Sequence, residues 1–358
     1  GDPSKLVVII DEAQFVAKRD ASFMEAVAKL KKHKLYPGPV LIILATSSTV
    51  WATQEAAEQF KGAEMKLGSL NFLEVVRHFE SLPVAEIVRI YGAIGGVPAY
   101  LDKWDASKSF KDNICRLVLT PSGALYGEAD AVISAELREL SAYSTILAAI
   151  ARGENKLNDI FHATGFSRAK ISVYLKNLAN FNIVEKVVSF ETGGWENAKK
   201  GVYQIKDTFV NFWFKFVYPN MSNLYLLSPE EFYDTYIEKE LDAYLERYFR
   251  EVCTEYLLIL NQMGQLPFTI KRVGTWIGKT GRIDIVAQSE DRRSIIGFCN
   301  WDKPMMTMDM CENMAMAMDQ ARLTSDDYYL FSATDFEPAL QSYVVRDPRF
   351  KLINMNEL

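Results

Sequence analysis

The chain has 358 residues, 49% of them hydrophobic and 24% charged, which is the balance of a globular protein with room for two or three domains. A formal net charge of −6 argues against a protein that coats nucleic acid over its whole surface, while leaving room for one local basic face. Cys115, Cys253, Cys299 and Cys311 show no CxxC spacing, and His33, His78 and His162 lie far apart. With no apolar run long enough to span a bilayer and no signal peptide, this excludes a zinc finger and a membrane partner and points to a reducing, cytoplasmic setting.

The first element is Leu6-Val7-Val8-Ile9-Ile10, which runs directly into Asp11-Glu12-Ala13-Gln14. Five apolar residues ahead of two carboxylates predict a strand buried on both faces, with its acids at the carboxyl end, where open α/β sheets place ligand chemistry. In P-loop nucleotidases this is the Walker B pattern: the Asp helps hold Mg²⁺ and the following Glu polarises the attacking water. A buried strand that ends in a solvated acidic turn gives the same pattern. No Gly-x-x-x-x-Gly-Lys-Ser/Thr loop precedes Leu6. Gly278-Lys279-Thr280 is not one, because Gly274 is a residue too close and the stretch reads as a hairpin turn between two β-prone runs. If Asp11 and Glu12 form a Walker B pair, these residues are the back part of a longer protein, and ATP and Mg²⁺ are not expected to bind this stretch tightly by itself.

Phe15 to Lys34 predicts one helix, ended by Pro37-Gly38-Pro39, and Val40 to Ala45 predicts a second apolar strand. Its polar end, Thr46-Ser47-Ser48, suits a sensor whose hydroxyl reaches a γ-phosphate, and equally a turn that caps the next helix. Helical periodicity resumes at Phe72 and is interrupted by the dense glycines and proline of Tyr91 to Leu101.

Three motifs in this order, Val8 to Gln14, Leu44 to Ser48 and Gly95-Gly96-Val97-Pro98-Ala99-Tyr100-Leu101, resemble prokaryotic ATPases of the AAA+/STAND type. The resemblance implies that Gly96 and Pro98 belong to a helical lid over the nucleotide.

Tyr143 to Arg152, Leu157 to Ala163 and a third helix capped by Ser167 precede two β-prone runs, Val184 to Phe190 and Gly201 to Ile205. Helix, helix, Gly165 turn, helix and hairpin together read as a winged helix-turn-helix, with Glu191 to Lys200 as its wing. Arg168, Lys170 and Lys176 on the third helix, with Lys199 and Lys200 on the wing, suit contact with double-stranded DNA. The same cations serve equally as ordinary solvated charge, or the module packs against a protein partner. The stretches Lys200 to Asp207 and Phe212 to Asn220 continue the resemblance.

Ser228-Pro229-Glu230-Glu231 opens a long helical stretch through Glu251 to about Leu260. Strands predicted over Phe268 to Val273, Arg282 to Ala287 and Ser294 to Trp301 follow, and the arrangement resembles the restriction-endonuclease-like fold. That resemblance assigns Asp284 to the first acidic position and Glu251 to the helical one. It puts Phe298 where the second carboxylate belongs and Asn300 where a lysine belongs. A phenyl ring cannot ligate Mg²⁺ and an amide cannot replace an ammonium, so a nuclease-shaped domain without nuclease activity is expected. Seven methionines between Met305 and Met318 suit Cu(I) or an adaptable partner surface, but the spacing of Met306, Met310 and Met314 favours a core-facing helix. Tyr328 to Ser332 reads as a final core strand.

The expectation is therefore an α/β protein in four parts: the C-terminal part of a P-loop ATPase core over 1–70, a helical lid over 71–135, a winged helix-turn-helix over 136–218 and a degenerate restriction-endonuclease-like domain over 219–358. A non-enzymatic winged-helix DNA-binding regulator is the alternative.

Overall fold

In the computed structural model, residues 5–32, 38–48, 51–60, 64–134, 137–190, 201–278 and 281–358 are described. Contacts divide the chain into two units, Gly1–Gly68 and Ser69–Leu358. It is a mixed α/β protein, and among the described residues no helix is long and apolar enough to cross a membrane.

In the first unit, β1 (Leu6–Ile10) and β2 (Val40–Leu44) pair in parallel, in register from Leu6 opposite Val40 to Ile10 opposite Leu44. The expectation of a strand buried on both faces fails here: Leu6, Val7, Ile9, Val40, Leu41 and Ile43 are exposed, Ile9 at 66%. A continuous apolar run does not by itself bury a strand: among the described residues β1 pairs only with β2, and only the ends of the two strands, Ile10 and Leu44, pack against the small core. The predicted Phe15–Lys34 helix is two helices, Ala13–Arg19 and Phe23–Lys32. Asp20 breaks it, because its carboxylate accepts from the Ser22 amide (2.8 Å) and hydroxyl (2.7 Å), offering the backbone a turn in place of helix. Ala13, Met24 and Trp51 form the small core.

The second unit opens with a capping box at Asn71 and Glu74, which starts the Phe72–His78 helix. The Val84–Ile94 helix ends at Gly95, whose φ of 69° lies in the region glycine tolerates. Gly96 then approaches Leu70 so closely that a Cβ would lie 1.9 Å from the Leu70 carbonyl oxygen, while the Gly96 carbonyl accepts from the Leu70 amide at 2.8 Å. Helices Leu140–Ala151, Leu157–Thr164 and Arg168–Asn180 follow, the last two separated by left-handed Gly165, and then β3 (Val184–Val187) and β4 (Val202–Ile205) pair antiparallel. Phe209, Phe212, Trp213, Phe214 and Phe216 are all buried and pack the centre, beside Tyr248 and Phe249 of the Glu238–Gln262 helix. Each fully buried ring contributes about 2–3 kcal/mol of apolar burial, so this aromatic seam outweighs any single polar contact in the unit.

The Pro229–Tyr236 helix is capped as its sequence requires: Ser228 Oγ accepts from the Glu231 amide and Glu231 accepts from the Ser228 amide. Beyond the long helix lies a mixed sheet in the order β11-β9-β7-β6-β5, formed by β5 (Arg272–Ile277), β6 (Arg282–Gln288), β7 (Ser294–Asn300), β9 (Asp327–Ser332) and β11 (Phe350–Asn354). The pairs β5–β6 and β6–β7 are antiparallel, while β7–β9 and β9–β11 are parallel. A two-residue parallel pair, β8 (Met305–Met306) with β10 (Asp335–Phe336), lies beside it.

Alternation sorts the sheet's side chains between two cores. Ile285, Ala287, Ile295 and Phe331 join the core that includes the long helix; Val286, Ile296 and Leu330 join Met314 and Met318 of the Met308–Ala321 helix. The methionine helix is thus core-facing through Met314 and Met318, with Met310 partly buried, but Met306, expected on the same helix, lies in β8. The first predicted strand is displaced: pairing starts at Arg272, not Phe268, and runs to Ile277. Tyr328 to Ser332 is not the last core strand, since β11 pairs along it.

Candidate functional site

The residues singled out in the first unit meet at the carboxyl ends of β1 and β2. The Ala13 amide donates to the Ala45 carbonyl (3.0 Å) and the Ala45 amide to the Ile10 carbonyl (2.9 Å), so the two strand ends remain paired as they leave the sheet. Glu12 turns the chain into its helix in a left-handed conformation, φ 48° and ψ 43°. For a residue with a side chain this costs roughly 1–2 kcal/mol, which the contacts of that side chain offset.

Those contacts form a small polar network. Glu12 Oε2 accepts from the Ser47 hydroxyl (2.8 Å), the Ser47 amide (3.3 Å) and the Gln14 amide group. Gln14 Nε2 also donates to Ser47 Oγ at 3.2 Å, and Gln14 Oε1 accepts from Thr46 Oγ1 at 2.6 Å. Thr46 Oγ1 accepts from the Ser48 amide at 3.0 Å, and Ser48 Oγ from the Trp51 amide at 3.3 Å. The hydrogen bonds from Gln14 and then Ser47 hold the Glu12 carboxyl below the usual glutamate range. Asp11 is exposed and accepts from the Glu12 amide at 2.9 Å.

Gln14 is the residue that sequence reasoning passed over. It is 2% exposed, polar and shared by both strand ends. The available signal was an amide side chain two residues beyond the acid, next to a strand end that carries three hydroxyls.

Gly96 and Pro98 lie in the other unit. Gly96 is buried against the Leu70 backbone, and exposed Pro98 occupies the first turn of the Pro98–Leu101 helix.

Ser167, Arg168, Lys170 and Lys176 are all exposed on the Arg168–Asn180 helix. Ser167 Oγ is engaged as the N-cap, accepting from the Lys170 amide at 3.2 Å. The Arg168 guanidinium sits 4.1 Å from the Phe161 ring centroid and bonds Asn158 at 2.6 Å, while Lys170 lies 4.5 Å over Phe166. Two of the cations are therefore partly held by their own module. Lys199 and Lys200 lie outside the described residues.

At the third cluster, Asp284 is 8% exposed and its Oδ1 accepts from Arg250 Nε (3.1 Å) and Arg282 Nε (2.9 Å), while Oδ2 accepts from the Cys299 amide (3.1 Å). The helical group that reaches Asp284 is Arg250; Glu251, one residue on, pairs with Arg247 at 2.8 Å. Phe298 packs into the core with Met314 and Met318. Buried Asn300 donates to Ser332 Oγ (3.0 Å) and the Lys303 carbonyl (3.2 Å) and accepts from the Lys303 amide (3.2 Å), so its polar atoms are spent on the turn after β7. Arg250, missed in the sequence, was marked only by its adjacency to Glu251.

Residues 213–316 match the model of DUF234, described as archaea bacterial proteins of unknown function. The chain is 28% identical over 303 residues to the uncharacterized protein MJECL04 of Methanocaldococcus jannaschii, a match covering 82% of this chain and 67% of that protein. Two solved structures are also similar. One, of Bordetella bronchiseptica BpsR, a protein whose DNA binding is regulated by 6-hydroxynicotinic acid, has 14% identity, covers 39% of this chain and 93% of that chain, and scores a TM of 0.19. The other, protein VC1899 from Vibrio cholerae, has 11% identity, covers 99% and 88%, and scores 0.24. Scores of that size define no shared fold.

Proposed function

We propose that the first unit is the Walker B part of a parallel nucleotide-binding sheet, in a nucleotide-driven switch of the AAA+/STAND type. The rest of the chain then supplies a helical lid, a winged helix-turn-helix and a restriction-endonuclease-like domain without nuclease activity. One observation carries the reading: at the carboxyl ends of two parallel strands, Glu12 is bonded to Ser47 at 2.8 Å. An acid and a hydroxyl cluster so joined are suited to orienting a water and reporting the state of a terminal phosphate.

In this reading Glu12 accepts a proton from, and orients, the attacking water, while Thr46, Ser47 or Ser48 bonds the γ-phosphate. Displacing the Ser47–Glu12 bond would pass information from nucleotide to protein. Asp11 fits Mg²⁺, because its exposed carboxylate is a hard oxygen donor with Oδ2 uncommitted among the described residues. When bound, Mg²⁺ would neutralise charge on the phosphates. The reading requires a phosphate-binding loop, and none lies within the 358 residues.

The decisive experiment uses a polypeptide that includes that loop. Glu12→Gln should abolish ATP hydrolysis and leave nucleotide binding unchanged; unaltered hydrolysis removes Glu12 from the mechanism.

The helix, left-handed Gly165, helix and hairpin favour a second reading, a non-enzymatic DNA-binding regulator in which Arg168, Lys170 and Lys176 face the duplex.

A further inference from the structure

β3 stops pairing with β4 at Val187, opposite Val202. The chain continues to Phe190 along the edge of β5 that, among the described residues, pairs with no other strand. There the Phe190 amide donates to the Thr275 carbonyl at 2.8 Å, and Ser189 Oγ accepts from the Ile277 amide at 2.9 Å. The two contacts are two residues apart on β5, so Ser189 and Phe190 lie against the edge of the sheet's last strand, held by one backbone amide and one serine hydroxyl.

Phe190 is 1% exposed and belongs to the core formed by Ile283, Val286, Ile296 and Met314, not to the core of the three helices that precede it. The Arg272 guanidinium lies 5.2 Å from its ring centroid. A residue from the end of the hairpin strand is thus a core residue of the five-stranded sheet. That sheet contains Asp284, where Arg250 and Arg282 hold the one acid of a nuclease-like site.

We propose that Ser189 and Phe190 form a clasp by which the five-stranded sheet diverts the β3–β4 hairpin onto its own edge and so restrains the hairpin from reaching along a duplex. This rests on the winged-helix reading of the second unit. It gives the sheet a use independent of nuclease chemistry: it holds the hairpin strand, and release of Phe190 frees it.

The test is made on the whole chain with Phe190→Ala and the milder Ser189→Ala. Hydrogen exchange reads the clasp at the backbone amide of position 190 and at the Ile277 amide; anisotropy of a short fluorescent duplex at low salt reads its consequence. Phe190→Ala should speed exchange at both amides by about tenfold or more while β7 and β9 stay protected. Duplex affinity should rise about threefold or more, with Ser189→Ala intermediate. Unchanged exchange in both variants overturns the clasp. Faster exchange with unchanged duplex affinity overturns the restraint. If no form binds duplex, the winged-helix reading and the restraint fail together, and exchange alone decides whether the clasp exists.

Discussion

Glu12 combines a strained backbone with a carboxylate that has three donors, and each feature explains the other. The left-handed turn brings the side chain back over the end of β2, and the Ser47 and Gln14 bonds hold it there. Because these donors stabilise the ionised form, the folded-state pKa lies below the unfolded one. The linked contribution is therefore fully present above the ordinary glutamate range and is lost as pH falls through the lower, folded value. The Ser47 amide resonance and its exchange rate should change on acidification below that range, and in Glu12→Gln the transition should disappear. A Ser47 amide that titrates identically in both forms would show that another group controls it.

The elements show where backbone sterics decide more than side-chain preference. Gly95 and Gly96 look like a generic turn signal in the sequence, yet they differ in role. Gly95 supplies a positive φ, and Gly96 supplies room against the Leu70 backbone. A methyl group 1.9 Å from a carbonyl oxygen cannot be absorbed by a rotamer change, so the turn itself must move. Gly96→Ala should cost about 3 kcal/mol and lower the thermal midpoint by roughly 5 °C or more, whereas Gly127→Ala, whose Cβ would meet nothing within 4 Å, should change stability by less than about 0.5 kcal/mol. Equal midpoints would mean the Leu70 contact yields freely. Gly92 follows the same logic against Leu245, and there the obstacle is a side chain.

Across the whole molecule, charge and apolar surface give opposite indications of partners. A net charge of −6 opposes approach to a polyanion, so the proposed DNA-binding reading rests on the local cations of the Arg168–Asn180 helix. Replacing Arg168, Lys170 and Lys176 together by Ala should weaken duplex binding and reduce the slope of log affinity against log salt by up to about three. An unchanged slope would place the phosphate contacts elsewhere. In the first unit the exposed residues of β1 and β2 are apolar, the composition of strands that elsewhere lie inside a parallel sheet.

Local physics made much of this chain legible in advance. The Ser228–Glu231 capping box, the Ser167 cap, the apolar strands, the β5–β6 hairpin around Gly278 and the methionine helix follow from hydrogen-bonding capacity and periodicity within a few residues of each position. What lay beyond reach was set by neighbours distant in the chain. Exposure of β1 depends on how many strands flank it; Arg250, not Glu251, meets Asp284 because of the long helix's rotation against the sheet. Phe190 belongs to the five-stranded sheet, although its sequence neighbours form the hairpin. The sequence alone determined most of the segments that become helix or strand, because those preferences are local. Only the tertiary structure decided which face is covered and which acid meets which cation, because burial and pairing depend on residues that the chain brings together from far apart.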